Sequence, residues 1–122
     1  MKKILIVEDV ELNLDLLMQL LEDDYELVIA RDGAAGVEAA TKETPDLVLM
    51  DMALPLMDGW EATRRIKADE ALKHIPIIGI SSHAMRGDPE KALAAGCDDY
   101  LTKPLDENLL FQKLDHFLGD KE

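Results

Sequence analysis

The sequence predicts an α/β protein: a doubly wound, five-stranded parallel sheet with helices on both faces. Three observations predict it. Short, unbroken runs of Val, Ile and Leu recur between turn signals, which is how parallel strands covered on both faces read. Segments with apolar residues three and four apart alternate with these runs. The connections are short, with no linker, composition break or internal repeat.

Ile4 to Val7 is the first strand, and it ends in Glu8-Asp9. Val10, Leu14, Leu17 and Leu21 follow at helical spacing and predict a helix over about 10–23. Leu27 to Ala30 is the second strand, and Arg31-Asp32-Gly33 is a turn. Ala34 to Lys42 is an Ala-rich helix with Val37 and Ala40 on one face. Leu47 to Met50 is the third strand and ends at the carboxylate Asp51. After a loop containing Pro55, Asp58-Gly59 opens a helix over about 59–69 that carries Ala62, Ile66 and the exposed pair Arg64-Arg65. Pro76 to Ser81 is the fourth strand, and Pro89 to Ala95 is a short helix stopped by Gly96. Asp98 to Thr102 is the fifth strand, closed by Lys103-Pro104. Asp106 caps a last helix in which Leu109, Leu110, Lys113, Leu114 and Phe117 recur at three and four.

The composition narrows the function classes. Hydrophobic residues make up 48%, enough for a core in a chain of 122 residues, which is one domain by size. Lys plus Arg number 13 and Asp plus Glu 26, a net charge of −13. That balance argues against nucleic acid, which needs a basic stripe, and against anionic membranes. Carboxylates that crowd would repel one another, and a divalent cation would relieve them. The single cysteine, Cys97, forbids an internal disulfide and fits a reducing compartment. The apolar run before Glu8 is too short for a signal peptide or a membrane span, so the expected location is the cytosol.

Parallel strands end on one rim, and ligands bind outside the carboxyl ends of such strands. That rim should carry Glu8-Asp9, Asp51, Ser81-Ser82 and Lys103. On position alone, Asp51 reads equally as a solvated aspartate at a strand end. If the first and third strands are neighbours, three carboxylates crowd one crevice and call for a cation. Oxygen ligands open to water suit Mg²⁺ better than zinc. A lysine and a hydroxyl opposite suit a phosphoryl group, and Lys103 is the one other cation placed at that rim. The set points to phosphoryl chemistry with Asp51 as a carboxylate nucleophile.

These residues, in this order and spacing, resemble the receiver domain of two-component response regulators over essentially the whole chain. The flanks Met57-Asp58-Gly59-Trp60-Glu61-Ala62-Thr63, His83-Ala84-Met85 and Ala95-Gly96-Cys97-Asp98-Asp99-Tyr100-Leu101-Thr102-Lys103-Pro104 resemble receivers of phosphorelays and hybrid kinases. The resemblance implies a flavodoxin-like strand order 2-1-3-4-5. It implies that Glu8 and Asp9 bind Mg²⁺ together with Asp51 and the backbone carbonyl of Ala53. It implies that Asp51 is the phosphoacceptor, that Ser81 binds a phosphoryl oxygen, that Tyr100 turns inward on activation, and that Lys103 pairs with the phosphoryl group ahead of a cis peptide to Pro104. The implied donor is a histidine kinase or a histidine phosphotransfer protein. Output through contact with a downstream protein target or through onward phosphotransfer is expected, because residues 1–122 leave no room for an output domain. Such a chain is a signalling phosphoacceptor that catalyses its own phosphorylation and dephosphorylation. Ser81 stands where threonine is common in the family and Ser82 where alanine is common.

Competing classes fit less well. A haloacid-dehalogenase-like phosphatase wants a second acid two residues after its nucleophile, where Ala53 stands. A flavodoxin-like binding module wants a phosphate loop after the first strand, where Glu8-Asp9-Val10-Glu11 would repel phosphate. A receiver-like domain that is never phosphorylated usually lacks part of the acidic set. His83 reads as an exposed loop residue or an influence on phosphate hydrolysis; His74 and His116 show no metal spacing; Cys97 reads as a small core residue. Leu12 and Leu16 lie off the main helical stripe, either half-buried at its edge or exposed as a docking patch.

Overall fold

In a computed structural model, which describes residues 1–54, 57–82 and 94–119, the elements follow one another as β1 (Lys3–Val7), α1 (Glu11–Leu21), β2 (Glu26–Ala30), α2 (Gly33–Glu43), β3 (Leu47–Asp51), α3 (Gly59–Ala68), β4 (Ile77–Ser82), β5 (Asp99–Lys103) and α4 (Glu107–Leu118). All five strands are parallel, in the order β2-β1-β3-β4-β5. The short helix predicted over 89–95 lies outside the described residues except for its last two, which are helical. His83 and the side chain of Ser82 also lie outside them.

The unbroken apolar runs divide by the pleat into two cores. Ile4, Ile6, Leu47, Leu49, Ile78, Ile80 and Leu101 face one side and pack on Leu14, Leu17 and Leu21 of α1 and Leu110, Leu114 and Leu118 of α4. Leu5, Val7, Val48, Met50 and Ile77 face the other side, where Ala40 of α2 and Ala62 and Ile66 of α3 meet them. Each large aliphatic side chain buried this way contributes roughly 1.5–3 kcal/mol. Cys97 joins the second core, as predicted.

Aspartates set three helix starts. Asp32 accepts from the Ala35 N–H at 2.7 Å, Asp58 from Glu61 at 2.9 Å and Asp106 from Leu109 at 3.2 Å. Such caps contribute ~1 kcal/mol each. Val10, predicted inside the first helix and on its stripe, is instead extended, sits at the cap position without a side-chain bond, and is 46% exposed. Leu109 departs similarly: it is exposed, and Leu118 takes the third buried place in α4.

Gly59 joins the fold to the site. A Cβ there would lie 2.3 Å from the Asp51 carbonyl oxygen and 2.6 Å from the Met52 Cα, and both are backbone. Only a residue without a Cβ lets α3 start against the turn that follows Asp51. Gly59→Ala is therefore expected to destabilise the protein by about 3 kcal/mol, the upper end for overpacking, as read from urea denaturation.

Candidate functional site

The β2-β1-β3 order makes β1 and β3 neighbours, with Val7 opposite Met50, so Glu8 and Asp51 leave adjacent strands together. Both are almost fully buried, at 1% and 2% exposure, whereas Asp9 is exposed. One carboxylate oxygen from each of Glu8, Asp9 and Asp51 lies within 4.8 Å of the others. Glu8 Oε2 accepts from the Val10 N–H at 3.0 Å, and Asp51 Oδ1 accepts from the Ala53 N–H at 3.0 Å. The remaining oxygens face one cation. Lys103 Nζ stands 3.2 Å from Asp51 Oδ2 and 3.6 Å from Glu8 Oε1.

Burial, and next the hydrogen bond with Asp51, push the Glu8 carboxyl up to about 7; the Val10 N–H and the Lys103 ammonium act the other way. The sign of the resulting pH dependence follows. The unfolded chain ionises Glu8 near 4.5, while the metal-free fold holds its proton to about 7. Stability is therefore fully present below pH 4.5 and is lost as pH rises towards 7, by about 3 kcal/mol at ~1.4 kcal/mol per pKa unit. Urea unfolding in a chelator at pH 5 and pH 7.5 should show this loss in wild type. Glu8→Gln, which has nothing to ionise there, should lack it, and parallel curves for the two proteins would disprove the assignment.

The other predicted residues fall on the same rim or beside it. Ser81 is buried, follows Ile80, the sheet partner of Asp51, and its Oγ has no hydrogen-bond partner among the described residues. Tyr100 is half-buried opposite Gly79 and packs against the α2–α3 core. The Lys103-Pro104 peptide is cis. Leu12 and Leu16 are exposed rather than half-buried.

Lys103 is not the one other cation at this rim. Arg31 follows the last residue of β2, so it emerges at the same edge, where it pairs with Glu11 at the start of α1. Its partner lies twenty residues away, so only the strand order could have placed it.

The donor set contains carboxylate oxygens and no sulfur or imidazole, and its most buried member keeps a proton up to about pH 7. These residues fit a hard divalent cation such as Mg²⁺, which would take the place of that proton and offset the charge of the ionised carboxylates.

Comparison with known proteins agrees with this geometry. The family described as the response regulator receiver domain matches residues 4–115. The polar-differentiation response regulator DivK of Brucella ovis is 40% identical over 120 residues, which cover 98% of each chain. Among solved structures, the receiver domain of a sensor histidine kinase from Pseudomonas aeruginosa, with a magnesium ion coordinated in its active-site cleft, superposes with a TM-score of 0.89 at 37% identity over 98% of both chains. The receiver domain of the Saccharomyces cerevisiae response regulator Ssk1, crystallised with a histidine phosphotransfer protein, superposes with a TM-score of 0.87 at 28% identity over 95% of this chain and 88% of that one. This chain belongs to the response regulator receiver domain family. No described helix is long and apolar enough to cross a membrane.

Proposed function

We propose that the protein is a cytosolic phosphoacceptor, which takes a phosphoryl group onto Asp51 from the phosphohistidine of a sensor kinase or a histidine phosphotransfer protein. The observation that carries this reading is the buried Asp51 carboxylate held 3.2 Å from the Lys103 ammonium, within an acidic cluster able to hold a divalent cation. The complex of a yeast receiver with a phosphotransfer protein supports the choice of donor.

An Asp51 oxygen forms the new bond to phosphorus as the bond from phosphorus to the imidazole nitrogen breaks. The freed histidine keeps the electron pair and takes up a proton from solvent. Lys103 meets the charge on the transferred oxygens, and the Ser81 hydroxyl, unpartnered among the described residues, offers one of them a hydrogen bond. Glu8, Asp9, Asp51 and the Ala53 carbonyl would hold Mg²⁺, which when bound neutralises charge on the phosphoryl oxygens. Ser81 and Tyr100 then shift between two populations, and the signal passes to a downstream protein target or by onward transfer. Water later hydrolyses the acyl phosphate, which the chain itself promotes.

The test is incubation with acetyl phosphate and Mg²⁺, then intact-mass spectrometry and peptide mapping after borohydride trapping. One phosphoryl group on Asp51 is expected. Label on another residue would return the phosphatase and binding-module readings to the front.

A further inference from the structure

At the end of the sheet away from Asp51, one ammonium group ties three segments together. Lys67, in the last turn of α3, donates to the Ile75 carbonyl at 2.8 Å, to the Lys73 carbonyl at 3.1 Å and to Asp98 Oδ2 at 2.8 Å. That uses all three ammonium donors. The same Asp98 oxygen accepts from the Ile77 N–H at 2.8 Å, while the Asp98 N–H donates to the Ile77 carbonyl at 2.8 Å. Asp98 thus grips both backbone groups of the first residue of β4 and stands one residue before β5. Gly96 turns at φ 108°, and a Cβ there would lie 2.9 Å from Lys67 Cγ, so the chain leading to Asp98 passes directly against the lysine stem.

These contacts close a circuit through the site. At its other end α3 starts at Gly59, whose N–H bonds the Met52 carbonyl at 3.1 Å and where an added Cβ would lie 2.3 Å from the Asp51 carbonyl oxygen. From Gly59 the helix rises ~12 Å to the Lys67 clamp in its last turn. β5 then returns from Asp98 to the rim and ends at Lys103, beside Asp51. β3 and β5 are not neighbours, since β4 lies between them. The height of Lys103 relative to Asp51 is therefore set by the β4 ladders and by this second route through α3.

We propose that Lys67 and Asp98 are positioning residues for the Asp51–Lys103 pair, holding β5 at the height from which Lys103 reaches the acceptor. The inference rests on the phosphoacceptor reading of Asp51. Misplacing a catalytic group by about 1 Å costs ~100-fold, and the β4–β5 ladder would keep part of the alignment, so about a tenfold loss is expected from breaking the clamp.

The experiment is a double-mutant cycle on the rate of Asp51 labelling by acetyl phosphate at saturating Mg²⁺. Asp98→Asn and Lys67→Met should each label about tenfold more slowly while Mg²⁺ affinity stays within about twofold, because Glu8, Asp9 and Asp51 do not hang from β5. In a Lys103→Ala background, Asp98→Asn should cost nothing further. A merely structural clamp would lower the melting temperature and leave the labelling rate of the folded protein at the wild-type value, which overturns the proposal. Equal slowing with and without Lys103 also overturns it. If Asp98→Asn does not fold, Lys67→Met, which keeps the apolar stem, carries the same cycle. Wild type that takes no label would defeat the phosphoacceptor reading itself, and this inference with it.

Discussion

Asp51→Asn is expected to abolish phosphoryl uptake while leaving the fold intact. The amide keeps the carboxylate's shape and its carbonyl oxygen can still accept from the Ala53 N–H, a bond now 3.0 Å long. It lacks the anionic oxygen that the proposed transfer would use to attack phosphorus, so labelling by acetyl phosphate should fall by at least ~100-fold, the scale of losing a reacting group. The substitution also removes one of two almost fully buried carboxylates that stand together. In a chelator the variant should be no less stable than wild type, because Glu8 and Lys103 still face each other at 3.6 Å. The rise in melting temperature expected of wild type in millimolar Mg²⁺ should shrink, since a ligand that binds only the folded state stabilises it less the more weakly it binds. Undiminished labelling of this variant would defeat the proposed function outright.

Much of this was legible in the sequence, for identifiable reasons. The strand interiors announce themselves because covering both faces of a parallel strand demands uninterrupted apolar residues, as in Ile4 to Val7 and Leu47 to Met50. Glu8, Asp9, Asp51, Ser81 and Lys103 follow from those runs, because parallel strands finish on a common rim. Periodicity could not say that Glu8 is buried and Asp9 exposed, since that depends on what packs over each side chain. The Lys67 clamp was invisible for a related reason. Its partners come from residues 73, 75 and 98, and no local spacing joins them. Arg31 reads as part of a turn, and it reaches the rim only because β2 lies beside β1. Val10 shows a limit of apolar spacing, because an apolar residue one position before a helix looks like its first turn.

Lys103→Ala should separate two roles that wild type combines. In the metal-free protein the Lys103 ammonium is the cation that faces both buried carboxylates. Removing it leaves the buried Glu8 and Asp51 carboxylates without that half-buried partner, and leaving a buried charge unpaired costs about 3 kcal/mol. The variant should therefore melt well below wild type in a chelator. Added Mg²⁺ should narrow the gap, because the carboxylates remain and no internal cation competes for them; Mg²⁺ affinity should hold or rise. Phosphoryl transfer should behave in the opposite way. The transferred group brings roughly two negative charges to the rim, and with Lys103 gone one of the charges placed to meet them is missing. Arg31 does not substitute for it, since it is engaged with Glu11 at the far side of β1. Labelling should slow by ~100-fold at saturating Mg²⁺, the scale seen when an aimed electrostatic donor is removed. Calorimetry for Mg²⁺ and a labelling time course on the same preparation decide it: parallel losses in both would mean that Lys103 serves the metal site, whereas slow labelling with undiminished Mg²⁺ binding assigns it to the phosphoryl group.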